Sequence, residues 1–484
     1  MRKTRVQKLR ASRSRLHSLL HPLCIIPVGT RGTVPLKKLI SRIAADSQYL
    51  HDISHYATSS TEDSVCSVEP GTAEDVGIIL QILGENQTPF AVKDGGHIMN
   101  PGYSSTPGVT IAMTRFNTVN YDSDTETVEF GTGLVWDDVY KALDPYNVNV
   151  VGGRVSGIGV SGYTLGGGYS WLTNQYGLTL DTIQAFELVL PNGSIVNVTD
   201  SNNPDLFYGL KGIVTTFTLK TFPQGEVWAG QVTYSGAEVQ AVTDATYDFA
   251  NYIVDPKAAI ITTYDYIGGA LVSSVIMFYD APTPPPGIFD DFIAVPSLAS
   301  TVATQSFLSF ILSSVEEVSL NCRGLYHTAP VERITLGILE EAIALIECQF
   351  WYNELQDQSA YIISIDIEPF LPSILDHGGP SAYPYTRAQR FLPLNLYFGW
   401  VHPQYDAEFY DAIVASASSL TTAALAEGQT AILLAPHYPN YAVYGTPLSS
   451  IYGTALSELT ALKGLYDPMS IMGLAGGWKV PNPM

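Results

Sequence analysis

Helical and strand-like patterns alternate along the first half of the chain. Val76, Ile79, Leu80 and Leu83 recur at helical spacing behind Thr72, Ala73, Glu74 and Asp75, whose order has the form of a capping box, so a helix is predicted there. Residues 89–93 form a short apolar run that reads as a buried strand entering the loop Asp94, Gly95, Gly96, His97. Strands are predicted at 109–113, 127–131 and 147–151, and a helix at 134–143. Residues 186–190 and 194–198 flank Asn192-Gly193, the pattern of a hairpin with a two-residue turn. A short helix at 205–211 and a strand at 214–222 follow. This alternation predicts a layered α/β domain.

The pattern changes near Val227. Strands are predicted at 231–234, 260–264, 272–278, 361–367 and 395–400, with helices around 237–252, 334–349 and 405–424. They suggest one large antiparallel sheet with helices on a face. From Leu433 the chain is loop-rich and aromatic, with a last helix at 449–463. The expected fold class is therefore α+β. The expected divisions are a basic, poorly ordered segment at 1–59, an α/β domain at 60–225, a sheet-and-helix domain at 226–430 and a C-terminal segment at 431–484.

Composition narrows the function. The 484 residues are 46% hydrophobic, enough for sizeable cores, and no run of about 18 apolar residues predicts a membrane span. The first 43 residues hold eleven basic residues and no acid, which leaves 13 basic residues against 46 acidic ones in the rest. Such a body repels a phosphate backbone, so no nucleic-acid partner is expected. Cysteines at 24, 66, 322 and 348 form no CxxC motif, and Walker A, HExxH and GxSxG motifs are absent. Sequons at Asn86, Asn192 and Asn197, with scarce lysine, agree with a secreted, acidic protein.

The densest glycine stretch is 152–168. Gly157, Gly159 and Gly162 match GxGxxG, but a nicotinamide-binding Rossmann site needs a helix opening at the third glycine, and Gly166, Gly167 and Gly168 oppose one. The stretch instead lets backbone N–H groups approach a phosphate, or forms tight turns at a domain boundary. His97, at a strand end after two glycines, can serve as base, metal ligand or covalent anchor, or be a plain loop residue. His51 and His55 lack a third ligand and read as structural or unordered.

Together, "PFAVKDGGH" at 89–97, "VTIAMTRFN" at 109–117 and "VVGGRVSGIGVSGYTLGGGYSWLTNQYGL" at 150–178 resemble the FAD-binding domain of PCMH-type, vanillyl-alcohol-oxidase-like flavoproteins. "YPNYAVYG" at 438–445 and "LKGLYDPMSIMGLAGG" at 462–477 resemble the C-terminal signature of the berberine-bridge-enzyme-like branch, and fungal FAD-linked oxidases look closest. The resemblance implies that 60–225 binds FAD, that 226–430 binds substrate, and that 431–484 returns to the FAD domain. Asp94, Gly95 and Gly96 match a pyrophosphate loop, and His97 matches the histidine bonded covalently to the flavin. Gly159, Ser161, Gly162 and Gly167 match a second phosphate loop. Tyr176, Gly177, Ile213, Val214 and Asn440 match positions near the flavin. Val155 stands where some relatives carry a cysteinyl link, and Ile158 where oxygen access is governed. No metal is implied.

The implied reaction is oxidation of an alcohol or sugar hydroxyl, with hydride passing to flavin N5 and oxygen accepting the electrons. Tyr438 is the candidate base, or it packs on the ring. A small-molecule substrate, oxygen and a monomeric state are expected. One departure matters: Leu210-Lys-Gly-Ile213 lacks several residues found in relatives, so a non-catalytic or weakly flavin-binding relative is the alternative.

Overall fold

The computed structural model describes residues 40–483, apart from 45, 210–211, 268–269, 315–321 and 348–357. Three large sheets, a two-stranded pairing of Val148–Asn149 with Phe222–Pro223, and their helices make the expected α+β fold. The first lobe carries a four-stranded sheet in the order Ile40–Arg42, Cys66–Glu69, Val109–Ala112, Phe90–Lys93. The last three strands run parallel, and Ile40–Arg42 is antiparallel to them. Helix Ala73–Glu85 covers this sheet and starts as predicted, with the Thr72 hydroxyl accepting the Asp75 N–H at 3.2 Å.

A five-stranded antiparallel sheet forms the second lobe, in the order Val119–Asp122, Thr127–Gly131, Ile213–Lys220, Ile183–Val189, Ile195–Val198. Its last two strands are the predicted hairpin. Gly193 turns it at a φ of +86°, which glycine adopts without a Cβ clash.

The third sheet spans Val227–Ser235, Ala258–Ile267, Ala270–Tyr279, Arg323–Val331, Ala360–Ile367 and Leu392–Trp400, with two short edge strands. Strand Arg323–Val331 was not anticipated. It is buried for most of its length and, among the described residues, pairs only with Leu392–Trp400. Strand alternation divides the sheet into two faces. Ile363, Ile365, Ile367, Leu394, Leu396 and Phe398 pack with Ile338, Leu339, Phe409, Ile413 and Leu420 from helices Leu336–Glu347 and Asp406–Ala426. The opposite face, including Asp366, Asn395, Tyr326 and Tyr397, turns towards the first two lobes.

Two expectations change. Residues 1–39 lie outside the described residues, but the fold begins well before residue 60. Asp46 caps helix Ser47–Ile53, whose Tyr49, Asp52 and Ile53 are buried. The short apolar spacing of that helix hid it. The predicted helix at 449–463 is two helices, Leu448–Tyr452 and Leu456–Tyr466, with Gly453 at φ +43° between them. After them the chain returns to the first lobe: the Phe90 N–H donates to the Leu474 carbonyl at 3.1 Å, and Ile471 and Ala475 join that lobe's core. Cys66 is buried and disulfide-bonded, and Cys322 is free. Cys24 and Cys348 lie outside the described residues.

Candidate active site

Strand Phe90–Lys93 delivers the first glycine loop, and the second arrives after Val148–Asn149. Their backbones touch. A Cβ on Gly95 would stand 2.6 Å from the Gly159 backbone, and one on Gly159 would stand 2.7 Å from the Gly95 nitrogen. Glycine is thus required on both sides of the contact. The Asp94 carboxylate accepts the Ser161 N–H at 2.9 Å and locks the loops together. Gly96, at φ +69°, turns the chain so that His97 follows into the open space. The His97 ring stacks on Tyr56, centroids 4.4 Å apart and 21° between planes, and lies 6.1 Å from the Tyr326 ring.

The GxGxxG reading needs one correction. A short helix, Val160–Leu165, does open there, despite the glycines that follow. It lasts six residues and stops at Gly166, and the Ser161 N–H is already taken by Asp94. The strand-to-helix unit of a Rossmann site is not formed.

A cavity of about 400 Å³ lies between these loops and the polar face of the large sheet. Asp94, Gly96, His97, Gly159, Ser161 and Gly162 line it from the loops, and Ile213, Val214, Tyr438 and Asn440 from elsewhere. Gly95 sits behind the wall, against Gly159. Gly167 packs near Tyr383. Tyr176 stacks on Phe222, centroids 3.8 Å apart, and Gly177 packs against Asp181 and His377, so neither residue lines the cavity. Val155 and Ile158 line it as well. Leu210 and Lys211, where the shortened segment begins, lie outside the described residues.

Sequence reasoning missed the charged wall. The Arg154 guanidinium meets Glu368 Oε1 at 2.8 Å and the Tyr441 hydroxyl at 2.6 Å, and that hydroxyl donates to Glu368 Oε1 at 2.8 Å. Arg154 and Glu368 are both buried. Beside them, the Asn395 side-chain N–H donates to Asp366 at 2.8 Å. Asp366 and Asn395 face the cavity from two neighbouring strands, and Glu368 follows one residue past the end of the first. A polar residue at every second position of 364–368, between isoleucines, was the available signal.

Tyr438 is buried, edge-on to Tyr169 and Tyr441 at 4.9 and 4.8 Å between centroids. Its hydroxyl accepts the Asn440 side-chain N–H at 2.9 Å. Burial pushes the phenol up to about 12, and the Asn440 hydrogen bond and Arg154 pull against that rise. In its present surroundings Tyr438 is a neutral phenol.

The match to known proteins agrees with this geometry. Residues 65–199 match the model of an FAD binding domain. The chain is 30% identical over 456 residues to the FAD-dependent monooxygenase drtC of Aspergillus calidoustus, covering 88% of this chain and 85% of that one. Its backbone resembles BBE-like 1 of Physcomitrella patens, with a TM-score of 0.75 at 17% identity over 96% of this chain and 99% of that one. It also resembles glucooligosaccharide oxidase of Acremonium strictum, described with a 6-S-cysteinyl, 8α-N1-histidyl FAD, with a TM-score of 0.69 at 18% identity over 90% and 95% of the two chains.

Proposed function

We propose that this chain, which belongs to the FAD-linked oxidoreductases, is of the berberine-bridge-enzyme-like type and oxidises an alcohol or sugar hydroxyl, with oxygen as the final electron acceptor. The observation that carries the reading is the convergence on one cavity of His97, both glycine loops and a tyrosine-and-carboxylate wall.

The residues present fit FAD. The Gly95–Gly159 contact leaves no room for a side chain, and Gly162 has nothing within 4 Å of a Cβ position, so backbone is bared to the cavity. His97, Ile213, Val214 and Asn440 also line it. We assign Asp94, Gly96, Gly159, Ser161 and Gly162 to the pyrophosphate end, His97 to a covalent bond with the flavin, and Tyr438 and Asn440 to the reacting end. Gly95 supports this cradle from behind, against Gly159. Bound there, FAD supplies a two-electron acceptor that takes a hydride at N5.

The protein's share is to orient the substrate and take its proton. Tyr438 stands on the cavity wall with Asn440 holding its hydroxyl. As base it must act as phenolate, and the Arg154 guanidinium is the charge that favours this form. Val155 offers no thiol, so His97 is the one covalent anchor in this reading. The disulfide at Cys66 supports secretion, since such bonds persist in oxidising compartments. Among the described residues no helix is long and apolar enough to cross a membrane. We take the protein to act as a monomer.

The decisive experiment is the absorbance spectrum of the purified protein before and after acid precipitation. Yellow colour retained in the pellet supports a covalent flavoprotein. A colourless protein that takes up no added FAD refutes the reading and leaves the non-catalytic alternative.

A further inference from the structure

We propose that Tyr56 is a positioning residue for the covalent bond between His97 and the flavin: its ring holds the imidazole in the orientation from which a ring nitrogen meets the flavin 8α-carbon. This assignment rests on the covalent reading of His97.

Tyr56 follows helix Ser47–Ile53 and is far from the glycine loop in sequence, yet it grips that loop twice. Its backbone N–H donates to the Gly96 carbonyl at 3.0 Å, directly before His97. Its ring stacks on the imidazole, centroids 4.4 Å apart and 21° between planes. One residue therefore fixes both the backbone that leads into His97 and the plane of its ring. An imidazole behind two glycines otherwise has its side-chain torsions to lose.

The segment that carries Tyr56 is itself clamped on both flanks. Before it, burial lowers His55 to about 4 and keeps the ring neutral. Its Nδ1–H donates to the Ile53 carbonyl at 2.9 Å, and Nε2 accepts the Ser104 hydroxyl at 2.8 Å. After it, the Thr58 N–H donates to the Cys322 carbonyl at 2.9 Å. The Ser59 hydroxyl donates to the Gly324 carbonyl at 3.0 Å and accepts the Gly324 N–H at 3.1 Å. These bonds tie the segment to strand Arg323–Val331, which also carries Tyr326, the second ring nearly parallel to His97. The two tyrosines differ in place. Tyr326 lines the cavity and Tyr56 does not, so Tyr56 braces the imidazole without taking space from the cofactor.

The step it serves joins a His97 ring nitrogen to the 8α-methyl carbon. The N–H bond and one C–H bond break, the N–C bond forms, and two protons and two electrons pass to the flavin. Oxygen then takes them as hydrogen peroxide. Bond formation needs the reacting atoms aligned, so the ring's orientation sets its rate.

The test compares full-length wild type, Tyr56→Phe and Tyr56→Leu, sampled over the same time course of expression. Acid precipitation divides the total flavin into a bonded share in the pellet and a free share in the supernatant. Tyr56→Leu should form the bond at least about twofold more slowly, the lower end expected for one stacked ring pair, with total flavin at the wild-type level. Tyr56→Phe keeps the ring and should match the wild type. A merely structural role would lower total flavin and leave the bonded share unchanged. That result overturns the proposal, as does an unchanged rate in Tyr56→Leu or a slowed one in Tyr56→Phe. If Tyr56→Leu does not fold, Tyr56→Met, whose flexible side chain fills irregular gaps, takes its place. A wild type that releases all its flavin defeats the covalent reading itself and this proposal with it, so the two failures are told apart.

Discussion

The Asp94 carboxylate accepts the backbone N–H of Ser161 at 2.9 Å and ties two glycine loops that lie 67 residues apart in sequence. The bond acts on the geometry of the cradle. Asp94→Ala should cost about 1.5–3 kcal/mol in chemical denaturation, the range for a hydrogen bond to a charged group. It should also lower the flavin-to-protein absorbance ratio. Asp94→Asn keeps an acceptor and should retain most of both. A flavin ratio unchanged in Asp94→Ala would show that the two loops hold together without the link.

His97→Ala should release the flavin on acid precipitation while leaving the fold intact. A peptide map of the wild-type protein should find flavin on His97 and on no cysteine. Flavin recovered free from the wild type would end the covalent assignment.

Arg154 and Glu368 form a buried pair, 10% and 2% exposed at their side chains. Removing one partner strands the other charge. Arg154→Met should therefore cost about 3–5 kcal/mol in thermal or denaturant unfolding. Adding Glu368→Gln to Arg154→Met should recover a large part of the loss, because the stranded carboxylate is gone. A double variant no more stable than the single one would show that packing rather than charge sets the cost.

If Tyr438 is the base, it must lose its proton first. With the phenol raised to about 12, the rate kcat/KM should climb with pH and keep climbing through the alkaline range. Tyr438→Phe should flatten that slope. A profile that levels off near neutral pH would assign the base to another group.

Asp265 gives a stability test of opposite slope to an ordinary carboxylate. Its folded-state pKa of about 8 lies above the unfolded value of about 3.9, so the folded state holds the proton longer. Stability should fall as pH rises through the window between those values and stay reduced above it. Asp265→Asn should raise Tm above pH 8 and change it little below pH 4. Melting curves that show no pH-dependent difference between the two proteins would remove the strain assigned to this carboxylate.

Local signals carried the fold well where they were strong. Thr72 announced a helix start and Asn192-Gly193 a hairpin, whereas the glycines at 95 and 159 suggested loops without showing that the two would touch. Long-range pairing was less legible. Strand Arg323–Val331 is defined by its neighbour Leu392–Trp400, and a partner 69 positions away leaves no mark within either stretch. The same holds for the site. His97 and Tyr438 stood out through motifs, whereas Arg154 owes its importance to Glu368 and Tyr441, which meet it only after three elements fold together. Tyr176 and Gly177 show the converse. They lie near the glycine run in sequence, but the 3.8 Å stack on Phe222 and the packing of Gly177 on Asp181 keep them off the cavity surface.

The return of the C-terminal segment to the first lobe has a consequence for biosynthesis. Phe90 emerges early during translation, yet its partner Leu474 and the core residues Ile471 and Ala475 are made only after the whole large sheet and its helices. The first lobe cannot complete its own core until they emerge. Cofactor capture must then wait for a segment far downstream of both glycine loops, and a truncation before Ile471 should yield a protein that never acquires colour.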